Sequence, residues 1–100
     1  MPYYVYILYS ISRNQFYKGQ TSDLKDRLNR HNAGYESATE HGRPWVLLWS
    51  VEKENRSEAV MLETKLKNLS TKRLISFMLK YESWVSSPDE LLLLKQLSGC

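Results

Sequence analysis

Cysteine is almost missing from this sequence: of its 100 residues only the last, Cys100, is one. A lone terminal thiol supports neither a disulfide framework nor a cysteine-ligated metal site, so a reducing setting, the cytoplasm, is expected. Long apolar stretches are missing too. The longest run, Leu91 to Leu94, falls far short of the ~20 residues a membrane helix needs. The segment Met1-Pro2-Tyr3-Tyr4-Val5-Tyr6 lacks the basic region and apolar stretch of a secretory signal. A soluble protein without membrane contact is the expectation. No internal repeat, low-complexity segment or long linker occurs, and 100 residues leave room for one small core. Acidic residues are absent between Lys65 and Lys80, a stretch that holds Lys65, Lys67, Lys72, Arg73 and Lys80. Such a run suits a polyanion, although a solvated helix face carries the same pattern.

What is present is an ordinary globular composition, 42% hydrophobic and 25% charged, with tyrosine in excess: seven of the twelve aromatic residues. Each buried tyrosine needs a polar partner for its hydroxyl. Tyr3 to Ser10 and Gln15 to Gly19 read as two strands of a hairpin, from their β-branched and aromatic content. Thr21 or Ser22 offers an N-cap to a helix over Asp23 to Ala33, which Gly34 closes. Tyr35 to Pro44 reads as a loop, and Trp45 to Glu52 as a third strand. Ser57 is expected to cap a second helix with Ala59, Leu62, Leu66 and Leu69 as its buried stripe. Ser70 or Thr71 starts a third, with Leu74, Ile75, Met78 and Leu79 inward. Ser87-Pro88-Asp89-Glu90 opens a short C-terminal helix. The fold class is therefore α+β: a small, three-stranded, mainly antiparallel sheet flanked by helices in the order ββαβαα plus a final helix.

Three groups of residues stand out chemically. If the hairpin loop is Ser10 to Arg13, Tyr6 falls opposite Tyr17, and alternation puts Tyr4, Tyr6 and Leu8 on one face. Two facing tyrosines also make a plain cross-strand aromatic pair. On the first helix Leu24, Arg27, Leu28 and His31 share one stripe, so Arg27 and His31 are carried toward the interior. There Arg27 either presents its donor fork to a phosphate or pairs with an acid such as Asp23. Glu63, at the margin of the second helix's apolar stripe, either takes a cation such as Mg²⁺ or pairs with Lys67 at i+4.

In order along the chain, Tyr4-Val5-Tyr6, Tyr17-Lys18-Gly19, Arg27, His31-Asn32 and Glu63 resemble the GIY-YIG nuclease domain. Arg43-Pro44-Trp45 and Arg56-Ser57-Glu58-Ala59 are similar to its small single-domain members, those akin to the N-terminal domain of the excinuclease C subunit. The resemblance covers roughly residues 3 to 80. It departs at Tyr4, where the motif has glycine, and at Lys18, where it has isoleucine or valine. It implies a catalytic domain over residues 1–82 and a helical extension over 83–100, packed on the same domain.

By that likeness the chain would be a divalent-metal-dependent DNA endonuclease. Glu63 would hold one Mg²⁺ or Mn²⁺, Arg27 would bind the scissile phosphate, and Tyr6, Tyr17 and His31 would handle the attacking water. A tyrosinate at neutral pH costs about 4 kcal/mol from an ordinary pKa near 10. Nearby cations, Lys18 and Arg27 among them, would reduce this. His31 titrates near neutrality and is the competing base. Lys18, Arg30, Arg43, Lys65, Lys67, Lys72 and Arg73 would contact phosphates without reading bases. A shape such as a branch, nick or flap in DNA repair or recombination, or a partner protein, would then direct cutting. The rival readings are a binding module of the same fold and an interaction protein or homodimer using the leucines of Asp89 to Leu97.

Overall fold

Alternating aromatic and β-branched residues make the sheet. The structure, a computed structural model, describes residues 2–99; Cys100, with the expectation drawn from its thiol, lies outside the described residues. Strands β1 (Tyr3–Ser10), β2 (Gln15–Thr21) and β3 (Trp45–Lys53) pair antiparallel in the order β2-β1-β3. Helices α1 (Leu24–Ala33), α2 (Arg56–Lys67), α3 (Thr71–Lys80) and α4 (Pro88–Leu97) flank them. The α+β class and element order are as expected. Short 3₁₀ turns at Glu40–Gly42 and Glu82–Trp84 are added, the first inside the segment read as featureless loop. No helix among the described residues is long and apolar enough to cross a membrane.

The hairpin register differs from the expected one by two residues. Tyr6 lies opposite Gly19, and Tyr17 opposite Leu8. The strands close at Ser10 and Gln15 because Asn14 takes the left-handed conformation (φ 52°) and the Ser10 hydroxyl accepts from the Arg13 N–H at 3.1 Å. A slip of two keeps every side chain on its face, so Tyr6 and Tyr17 remain neighbours, now on the diagonal.

The sheet buries both faces. Val5, Ile7 and Tyr9 join Trp49, Val51, Ala59, Leu66, Leu74, Met78 and Leu94 in the larger core, beneath α2, α3 and α4. Tyr6 and Leu8 pack with Trp45, Tyr17, Leu24 and Leu28 on the opposite face, beneath α1.

Two helix caps differ from expectation. Thr21 ends β2, and its hydroxyl accepts from the Asp23 N–H, so Asp23 rather than Thr21 or Ser22 caps α1 by accepting from the Asp26 N–H at 3.0 Å. Asn55 rather than Ser57 caps α2, accepting from the Glu58 N–H at 2.9 Å; a side-chain cap of this kind contributes about 0.5–2 kcal/mol. Leu69, expected on the second helix, follows its end at Lys67 and still packs on the core. Beyond residue 82 the chain is tied to the sheet: Val85 bridges Trp49, the Ser86 N–H donates to the Leu48 carbonyl, and Leu94 is fully buried.

Candidate active site

The site begins with a missing side chain. A Cβ at Gly19 would stand 2.5 Å from the Tyr6 hydroxyl oxygen and 2.7 Å from its Cζ, so the Tyr6 ring lies directly across Gly19. Glycine on this strand therefore serves close approach, and it carries the phenol from the central strand out over edge strand β2.

His31, 1% exposed, meets that hydroxyl from α1, with Tyr6 Oη 3.0 Å from His31 Nε2. The other ring nitrogen, Nδ1, is 2.8 Å from Thr39 Oγ1. The Thr39 hydroxyl donates to the Glu36 carbonyl at 3.3 Å, which leaves its lone pair to accept from His31 Nδ1–H. His31 Nε2 is then bare and accepts from Tyr6 O–H. Burial lowers the His31 pKa, with Arg27 acting the same way and Glu36 opposing; the ring is neutral at pH 7, as an acceptor must be. Burial also pushes the Tyr6 pKa up, helped by Tyr17 and Glu63, while the Arg27 guanidinium beside the hydroxyl works against the rise.

Helices α1 and α2 pack on opposite faces; the Arg27 charge, from α1, draws the Tyr6 pKa down, and Glu63, from α2, is the weakest of the influences raising it. Tyr17 completes the group, its ring 4.9 Å from His31 edge-on and 6.3 Å from Tyr6 between centroids. Tyr6, Tyr17 and His31 are thus in contact and the Arg27 charge acts on the Tyr6 hydroxyl, whereas Glu63 reaches it only as the weakest of the charge effects. Arg27 does not pair with Asp23, which is spent on the α1 cap; among the described residues no carboxylate lies within salt-bridge distance of its guanidinium. Glu63 does carry the i+4 pair, with Lys67 Nζ at 3.2 Å. Its side chain is 16% exposed, and no cluster of three metal-binding side chains occurs among the described residues.

The basic residues do not gather in the same way. Lys18 pairs across from Ile7 and faces α3, lining a cleft with Leu69, Thr71 and Leu74. Alternation along β2 sends it to the face opposite Tyr17, which corrects the expectation that it sits beside the tyrosine and eases its ionisation. Arg30 pairs with Glu36 at 3.8 Å and lies over the Tyr35 ring; the Arg43 guanidinium covers Gly34 and donates from Nε to the Glu40 carbonyl at 2.9 Å. These two stand on the α1 side. Lys65, Lys67, Lys72 and Arg73 ride on α2 and α3, which cover the other face.

Two residues of the site's frame go beyond the expected set. Thr39 fixes the His31 ring, and its carbonyl accepts from Trp45 Nε1 at 2.7 Å. Asn32 accepts from the Trp45 N–H at 2.6 Å and donates to the Trp45 carbonyl at 3.1 Å, locking α1 to the start of β3. Asn32 is visible in the motif string without its purpose; Thr39 carries no signal at all in a segment without periodicity.

Residues 2–76 match the model of the GIY-YIG catalytic domain. The chain belongs to that family. This GIY-YIG protein is 30% identical over 84 residues to a UPF0213 protein of Streptococcus agalactiae serotype V, covering 83% of the chain and 94% of the relative. It is 38% identical over 60 residues to a UPF0213 protein of Vibrio campbellii, where the match spans 59% of the chain and only 58% of the relative. The solution NMR structure of a UPF0213 protein from Bacillus halodurans is similar, with a TM-score of 0.52, 28% identity, and coverage of 90% of this chain and 92% of that one. The three-stranded antiparallel sheet with four helices is that of a GIY-YIG protein.

Proposed function

We propose that this GIY-YIG protein is a divalent-metal-dependent DNA endonuclease of the cytoplasm, directed by DNA shape or by a partner, in repair or recombination. The observation that carries the reading is the buried Tyr6–His31 hydrogen bond seated over Gly19 with Tyr17 edge-on to the histidine, all within the matched catalytic-domain segment. A single carboxylate is enough for Mg²⁺ or Mn²⁺. Such ions are held by one or two carboxylates and keep several waters or substrate oxygens. Lys67, 56% exposed, can swing aside at little loss, because exposed pairs contribute about 0–1 kcal/mol. When bound by Glu63, the ion would polarise the scissile phosphate and stabilise the leaving oxygen.

The chain's own residues supply the rest. Arg27 holds the phosphate as its charge builds. Tyr17, the less buried of the two tyrosines, orients the attacking water; as the water's proton goes to the Tyr6 oxygen, Tyr6 passes its own to His31 Nε2. The two ring nitrogens of His31 are taken by Tyr6 and Thr39, so it serves through Tyr6. Moving a proton from an ordinary phenol to an ordinary imidazole costs about 5 kcal/mol. Burial raises Tyr6 and lowers His31, adding to that cost. The transfer is therefore confined to the reacting complex, where positive charge near the phenol oxygen offsets it. Arg30, Arg43 and the lysines and arginine of α2 and α3 meet phosphates, which carry no base information; this supports recognition by shape.

Labelled branched, nicked and single-stranded DNA with Mg²⁺ or Mn²⁺ tests the reading. Glu63→Ala, Arg27→Ala and Tyr17→Phe should each lower cleavage by roughly a hundredfold or more without loss of fold. Equal residual cleavage in all three would mean a contaminant. The Glu63–Lys67 pair favours a second reading, a non-cutting binding module. Metal-independent DNA binding with no cleavage of any substrate would establish it.

A further inference from the structure

On the far flank of α2 from Glu63 lies a second surface, whose exposed rings have no part in cleavage. Residues 63 and 65 are about 200° apart around a helix, so α2 turns Glu63 toward β2 and Lys65 toward β3. There Lys53, Lys65, Phe77, Tyr81 and Trp84 line a cleft of about 230 Å³ floored by Trp49. Tyr81 and Trp84 stack at 5.8 Å with 26° between their planes. They remain 36% and 44% exposed, whereas Trp45 and Trp49 are 7% and 0% exposed. The Lys65 ammonium sits 5.7 Å from the Phe77 centroid and the Lys80 ammonium 5.5 Å from that of Tyr81. Acids adjoin it as well: Glu52 and Glu54 flank Lys53 in the sequence, Glu82 is on the same turn as Trp84, and Glu58 lines a neighbouring cleft with Lys53 and Lys65.

We propose that this stacked pair, ringed by Lys53, Lys65 and Lys80, is a holding site for the unpaired bases of single-stranded DNA. Exposed flat rings beside cations are what an unpaired strand needs, bases on the rings and phosphates on the lysines. Duplex bases, already stacked on each other, offer no such faces. The three lysines select a polyanion over an apolar peptide or a second copy of this basic chain. Only the choice of DNA rests on the nuclease reading. The Lys65 edge of this surface lies across α2 from Glu63, and a helix with its side chains is about 10–12 Å across. A strand leaving the cut position can cross the outer face of α2 and stack on Trp84, which deepens a preference for flaps over plain duplex.

The probe is an oligothymidylate in EDTA, so that binding is read without cleavage, through quenching of tryptophan fluorescence. Trp84, the exposed tryptophan, should be the one quenched. Trp84→Ala should weaken binding on the order of tenfold and abolish the quench, with Trp84→Phe restoring affinity. Because Trp84 also touches Trp49, Lys65→Glu and Lys80→Glu are the control for folding. Each should weaken binding and lower the salt slope by about 0.7. Wild-type binding in Trp84→Ala and in both lysine variants overturns the proposal. So does loss of self-association or peptide binding in Trp84→Ala with oligonucleotide binding intact. Glu63→Ala should bind the probe normally, which separates the holding site from the cleavage reading.

Discussion

At Gly19 a methyl group would meet Tyr6 Oη at 2.5 Å and Cζ at 2.7 Å, and the neighbour is a buried ring hydrogen-bonded to a buried histidine. Gly19→Ala should therefore cost about 1–3 kcal/mol by overpacking and move Tyr6 off His31, with cleavage falling further than stability. Urea unfolding and a cleavage assay on one preparation check this; a stable variant with full activity would mean that the ring does not need its seat. The motif Tyr17-Lys18-Gly19 is legible in the sequence, but the reason for its glycine lies on another strand. The tyrosine excess resolves in the same way, Tyr6 with His31 and Tyr9 with Asn14 at 2.7 Å. The folded His31 pKa lies below its ordinary 6.5, so at mildly acid pH the unfolded chain binds a proton that the folded chain refuses. Stability from this group is present above about pH 6.5 and is lost as pH falls through the folded value. His31→Gln should flatten the acid side of a stability–pH curve relative to the unmodified chain, and parallel curves would contradict the burial argument.

Among elements, period-2 alternation suffices to bring Tyr6 and Tyr17 to one face, and it survives a register displaced by two residues. It also assigns Lys18 to the other face, against the plain reading of neighbours in sequence. What alternation cannot give is loop length, which here depends on the left-handed Asn14 and the Ser10 hydroxyl. Helix existence is legible from apolar spacing, whereas the caps of α1 and α2 each fall on a residue next to or near the expected one, because Thr21 is used by the turn after β2 and Asn55 precedes Ser57. Thr39 is illegible, since its role exists only once residues 35–44 fold back on α1. Asn32 is the joint between α1 and β3, with both amide atoms bonded to the Trp45 backbone. Asn32→Ala should cost about 1–3 kcal/mol and, by loosening Trp45 and the Thr39 carbonyl it bonds, disturb His31. The Tyr6–His31 hydrogen bond, followed by imidazole NMR, should weaken; an unchanged His31 signal would make Asn32 a local pin only.

For the whole molecule, the two packed faces explain why the site and the basic run separate. Arg30 and Arg43 stand on the α1 side, while Lys65, Lys72 and Arg73 follow α2 and α3 over the larger core. The C-terminal helix closes that larger core, and its leucines divide as a helix requires. Four leucines in a row rotate by about 100° each, so they cannot all turn inward: Leu94 is fully buried and Leu92 is 58% exposed. Leu94 touches the same cluster as Leu74, Met78 and Trp49, so removing its side chain leaves a cavity where α3, α4 and β3 meet. Leu94→Ala should cost about 2–5 kcal/mol, a large share of the 5–15 kcal/mol typical of a domain, while Leu92→Ala should stay within about 0.5 kcal/mol. Urea midpoints at one pH distinguish them. Equal effects would mean that α4 is not docked, and the leucines would then be free for a partner. A large Leu94 effect at unchanged unfolding slope would show the sheet and all four helices melting together, so that Glu63 on α2 depends on a helix at the far end of the chain.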